Sequence, residues 1–146
     1  MAKVKFFQEH ADWAPAILRL FFGIAFIVAA LDKILGMSMA KGMFEGMFGA
    51  GFGAPLLYLA IAIELLGGLA LLFNWHAPCA ALLLFVFMLV ALVKTFKLGQ
   101  AGNMVGILRE MLVMNTGGGN TAVNFAYMAG LLSLAFSGCK QCKGKK

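Results

Sequence analysis

Residues Pro55 to Phe73 read PLLYLAIAIELLGGLALLF, eighteen apolar or small residues interrupted by one charge, Glu64. A hydrocarbon core of about 30 Å needs roughly 20 such residues in helical form, so this stretch is predicted to cross a bilayer. An ionisable group at that depth costs several kcal/mol, about 2.5–3.5 on insertion scales, unless it faces a partner or a wet cavity. Glu64 therefore points inward, and function has to be argued from it.

Outward from this span the same pattern recurs. Ala14 to Leu35 forms a first span, with Trp13 and Pro15 at its entrance and Arg19 near its start. Pro78 to about Phe96 forms a third, and about Asn120 to Ser137 a shorter fourth, followed by the tail 138–146. Nothing alternates with period two, and backbone groups in lipid must pair internally, so helices are the remaining choice over a barrel. The expected fold is all-α: a single-domain integral membrane four-helix bundle covering residues 1–146.

Composition agrees. The chain has 146 residues, 62% hydrophobic and 12% charged, with a net charge of +6 and a mean hydropathy of +0.91. These values lie outside the soluble range. The positive charge does not imply nucleic acid, because Lys140, Lys143, Lys145 and Lys146 crowd into the last seven positions. There they read as a topology signal and a contact for anionic lipid. An even number of spans puts both termini on one side, and the basic tail predicts that side to be the cytoplasm of a cell (inner) membrane. The first span is read as an uncleaved start-transfer helix.

Two connections are long. Gly36 to Ala54 (GMSMAKGMFEGMFGAGFGA) is too apolar for a solvent loop and too glycine-rich for a stable span, so an interfacial or partly re-entrant segment is expected. Met39, Met43 and Met47 recur there every fourth residue. Thioethers bind Cu(I), yet methionine is equally an adaptable filler at a membrane surface. Leu98 to Gly119 holds Arg109 and Glu110, then Gly117-Gly118-Gly119.

The ordered set of LRLFFG (Leu18–Gly23), LDKILG (Leu31–Gly36), GAP (Gly53–Pro55) and IELLGGLALL (Ile63–Leu72) resembles the DoxX family of small four-helix membrane proteins, over roughly Arg19 to Ser137. Some members are subunits of a thiosulfate:quinone oxidoreductase, and others are linked to thiol and oxidative-stress systems. The resemblance implies an integral membrane subunit of a quinone-linked, sulfur- or thiol-type oxidoreductase, with quinone as the associated cofactor. Its partners would be the lipid bilayer and other membrane or peripheral subunits.

The residues carry two readings each. Ala60, Gly67 and Gly68 share a face with Glu64, and small residues let a neighbouring helix approach. Arg19 and Glu64 lie in adjacent spans with opposite charge, so a buried ion pair fixing helix register is expected. The sharper reading is a proton-accepting or quinone-facing carboxylate, with Arg19 beside it. Lys33 and Lys94 fall at similar depths near the far interface. They are snorkelling anchors, or a pocket for an anion or quinone head group with Glu110 nearby. Cys139 and Cys142 form a C-x-x-C, and Cys79 follows His76 in H-A-P-C. A redox dithiol, a Cys3His zinc set and no special role all stay open.

No nucleotide-binding glycine loop, zinc-protease motif or acyl-transfer nucleophile with a local base occurs, and no centrally buried histidine pair suits haem. A subunit that accompanies an enzyme is favoured over a stand-alone one. The alternative is a structural or assembly subunit without catalytic residues of its own. A transporter ranks third, because no duplicated halves or broken-helix pair are evident.

Overall fold

In the computed structural model the described residues are 13–95 and 121–141, with side chains described from 13 to 94 and from 123 to 137. They form five helices: α1 Trp13–Leu35, α2 Met37–Phe48, α3 Ala50–Leu72, α4 Ala77–Thr95 and α5 Thr121–Gln141. No strand occurs among the described residues. Three of the helices, α1, α3 and α4, are long and apolar enough to cross a membrane, and Val123–Ser137 within α5 is a shorter apolar helix. The all-α membrane architecture is therefore as expected, with the fourth span the weakest of the set.

The helices form a ring. α1 packs on α3, α3 on α4, α4 on α5, and α5 returns to α1. Antiparallel α1 and α3 cross where Gly23 meets Gly68. A Cβ on Gly23 would stand 3.0 Å from the Gly68 carbonyl oxygen, and one on Gly68 would stand 2.9 Å from that of Gly23. Two glycines facing each other let the backbones touch, as small-residue seams do in membranes. Across the ring, Gly130 of α5 receives the Phe22 ring, and Tyr127 stands edge-on to Phe22 and Phe26. The core between these helices holds Phe26, Leu71, Ala81, Leu84, Leu131 and their neighbours. Large apolar side chains such as Phe21, Val28, Leu66, Val86 and Val93 point outward. That is the inside-out balance of a chain solvated by lipid.

The segment between the first two spans is helical. Backbone hydrogen bonds run through Gly36, from its N–H to the Asp32 carbonyl and from the Ala40 N–H to its own, so α2 continues α1 after a bend. α2 packs along the first half of α3, with Ala40 against Leu57 and Ile61. The two helices join through Gly49, whose φ of +88° only glycine adopts without strain. Beyond it Gly53 lies against α2 so closely that a Cβ would be 2.5 Å from the Glu45 nitrogen. The second span thus begins at Ala50 rather than at Pro55. Pro55 falls inside α3, in its second turn, and lacks the N–H that would bond the carbonyl of residue 51.

The α3–α4 connection is a tight turn, Phe73 to His76. Asn74 (φ 57°) and His76 (φ 47°) both adopt the left-handed conformation, which asparagine and histidine tolerate better than most residues. Because α3 and α4 are antiparallel, and α5 runs opposite to both α1 and α4, the start of α1, this turn and the end of α5 share one end of the bundle.

Candidate functional site

The buried carboxylate of Glu64 is held by Lys33, not by Arg19. Lys33 Nζ donates to both oxygens, at 2.9 Å to Oε1 and 2.8 Å to Oε2, and also to the Ala29 carbonyl at 3.3 Å. The Glu64 side chain is 6% exposed and that of Lys33 23%. Ala30 of α1 and Ala60 of α3, both nearly inaccessible, flank the pair. Among the described residues no buried side-chain nitrogen or oxygen lacks a hydrogen-bond partner.

This corrects the expected Arg19–Glu64 pair, and the reason is the direction of side chains on a helix. Every Cα–Cβ bond tilts toward the helix N-terminus. Arg19, near the start of α1, therefore leans out of the bundle and donates to Asn74 Oδ1 in the α3–α4 turn. Lys33, about 21 Å further along at 1.5 Å per residue, leans back into the bundle. Glu64 leans toward the start of α3, which is the same end of the bundle as Lys33. Antiparallel packing brings the two together. Asn74, the residue that Arg19 finds, follows directly on the hydrophobic run of the second span and was identifiable from that position.

Lys94 lies elsewhere. It stands in the last turn of α4 with its ammonium 4.7 Å from the centroid of the Phe48 ring. Phe48 is also a wall of an apolar groove of about 280 Å³ between α2, α3 and α4. The groove is bounded by Phe44 and Phe48 of α2, Leu56 and Ile63 of α3, and Leu83 and Val90 of α4. Neither Glu64 nor Lys33 lines it, although Ile63 is the chain neighbour of Glu64. Lys33 and Lys94 are thus not brought into one pocket. Lys33 is consumed by Glu64, and Lys94 lies over Phe48, a wall residue of a separate apolar groove.

Glu110, proposed to accompany the lysines, lies outside the described residues. So does Cys142, and of Cys139 only its place in the last turn of α5 is described. His76 and Cys79 are exposed one helical turn apart at the start of α4; the Cys79 N–H donates to the His76 carbonyl at 2.9 Å, and Trp75 stands edge-on to the His76 ring. Among the described residues no group of three or more metal-ligating side chains assembles. Met39 and Met43 are exposed on α2, along its outer side. Residues 39 and 47, eight apart, stand about 12 Å apart along the helix axis, which does not favour a compact three-thioether site.

The DoxX family model matches residues 14–97. The chain belongs to the DoxX family. The match contains all of α1 but Trp13 and the whole of α2, α3 and α4, and with them the Gly23–Gly68 seam, the Lys33–Glu64 pair and the apolar groove. No curated relative and no solved structure matches the chain. It is thus a DoxX membrane protein whose helices lie in a lipid bilayer.

Proposed function

We propose that this DoxX protein is an integral membrane subunit of a quinone-linked oxidoreductase system of the sulfur or thiol type. The observation that supports the reading is the ammonium–carboxylate pair of Lys33 and Glu64 inside two spans. Intramembrane ionisable groups point to function by default, and proton relays are among the roles they serve. Quinone reduction takes up two electrons and two protons. Oxidation of two thiols to a disulfide releases two of each. In this proposal the donor is oxidised on a partner subunit, which passes on the electrons, while Glu64 exchanges a proton and Lys33 balances its charge. Arg19 then serves the end of the bundle rather than the chemistry: its bond to Asn74 ties α1 to the α3–α4 turn.

Both termini are assigned to the cytoplasm and the membrane to the cell inner membrane. The support is the lysine-rich tail and the shared bundle end of the start of α1 and the end of α5.

The test is turnover of the assembled complex carrying Glu64→Gln. This variant keeps size and hydrogen bonding while removing the titratable group. The proposal expects slowed quinone-linked turnover with assembly intact; normal turnover would remove Glu64 from the chemistry.

A second reading, a structural or assembly subunit without catalytic residues, draws on a specific observation. Both Glu64 oxygens are already taken by Lys33, so the pair also suffices as a device for helix register. Under that reading Glu64→Gln weakens the bundle and leaves turnover per assembled complex unchanged.

A further inference from the structure

The groove between α2, α3 and α4 has a shape and a charge that the proton role of Glu64 does not use. Its walls are stripes at helical spacing. Phe44 and Phe48 are four apart on α2. Leu56, Ala60 and Ile63 follow one another on α3. Leu83, Val86 and Val90 do so on α4. One more turn along the α4 stripe stands Lys94, whose ammonium lies over the ring of Phe48, a wall of the groove. From Leu83 to Lys94 the axial rise is about 16 Å at 1.5 Å per residue, close to one leaflet of a 30 Å core.

We propose that this groove holds one acyl chain of an anionic phospholipid, whose phosphate rests on Lys94. Three observations select this occupant. The walls offer no hydrogen-bonding side chain, so what lies between them is a hydrocarbon chain. The volume of about 280 Å³ falls just below the roughly 300–1,000 Å³ of pockets that enclose drug-sized molecules, which suits one slim chain rather than a ring with a tail. Among the described residues the cation has no acidic counterpart: the ion pairs there are Lys33–Glu64 and Lys41–Glu45, and neither involves Lys94. A cation beside an apolar groove between membrane helices selects an anionic head group by charge. The end of α4 is opposite the bundle end that carries Arg19 and Asn74, so the lipid comes from the leaflet away from the termini. The inference is independent of the quinone reading.

The full chain is reconstituted in vesicles of phosphatidylcholine, or of phosphatidylcholine and phosphatidylglycerol in equal parts. It is then extracted in mild detergent and weighed by native mass spectrometry. One phosphatidylglycerol per chain should remain bound where phosphatidylcholine washes away. Lys94→Gln should reduce that retention about fivefold, the effect of removing one lysine–anion contact at a membrane surface, while Lys94→Arg keeps it. Val86→Trp, placed on the half-exposed wall of α4, should expel the lipid with Lys94 still present. Equal retention of the two lipids, unchanged retention in Lys94→Gln, or displacement of the bound lipid by an equimolar short-chain ubiquinone would each overturn the proposal. Displacement by the ubiquinone would give the groove to quinone.

Discussion

Lys33 and Glu64, thirty-one residues apart, close on each other at 2.8 Å between the first and third helices, with both carboxylate oxygens engaged by one ammonium. The relationship ties two membrane helices at a fixed register and leaves no buried charge alone.

Removing one member should cost more than removing both. Breaking a buried pair typically costs about 3–5 kcal/mol, because the remaining charge is stranded, while an apolar replacement of both partners is often neutral or better. Lys33→Met and Glu64→Leu should each lower the melting temperature in detergent, and the double variant should regain most of the loss. Additive losses would mean that the two side chains do not act as a pair.

Arg19 predicts the opposite behaviour. Its bond goes to Asn74, so Arg19→Gln should leave the coupling between Lys33 and Glu64 untouched. The bond is exposed, and the expected cost is about 0.5–1.5 kcal/mol, the net worth of a typical hydrogen bond. A double-mutant cycle between Arg19 and Glu64 should read near zero; a strong coupling energy would restore the pairing expected from sequence.

The glycine crossings define where the helices can approach. Gly68→Ala puts a methyl 2.9 Å from the Gly23 carbonyl oxygen, and Gly53→Ala puts one 2.5 Å from the Glu45 nitrogen. Both obstacles are backbone, so the helices must part, at a cost of about 1–3 kcal/mol for such overpacking. Gly46→Ala, on α2 with nothing within 4 Å, is the control and should be neutral or slightly stabilising. Thermal unfolding should place Gly53→Ala and Gly68→Ala below the parent protein and Gly46→Ala at or above it.

Topology is tested by single cysteines in a background free of native ones. A cysteine at Lys41, on exposed α2, should react with an impermeant reagent added to intact cells, and one at Lys145 should not. The reverse pattern would put the termini outside.

Much of this was legible in the sequence, and the parts that were not share a cause. Length and hydropathy sufficed for the spans, and the placement of Glu64 toward small residues was readable from Ala60, Gly67 and Gly68. The partner of Glu64 was misread because opposite charge in adjacent spans was weighed without the tilt of side chains toward each N-terminus. That rule separates Arg19, which leans outward, from Lys33, which leans inward. The helix of Met37–Phe48 was hidden by its glycines: Gly42 and Gly46 lower helix propensity, and only packing on α3 decides the outcome. The cation over Phe48 depends on how α2 folds back, through Gly49, beside the end of α4. No local pattern encodes that contact.

The central claim is that this DoxX protein works inside a quinone-linked redox complex. Native mass spectrometry of the protein, taken from its own membranes in mild detergent, tests it most directly. The expected result is an assembly containing this chain, at least one different protein subunit and bound quinone, with reduction of that quinone on adding a thiol-type donor. An assembly of this chain alone, with lipid but no quinone and no redox partner, would contradict it.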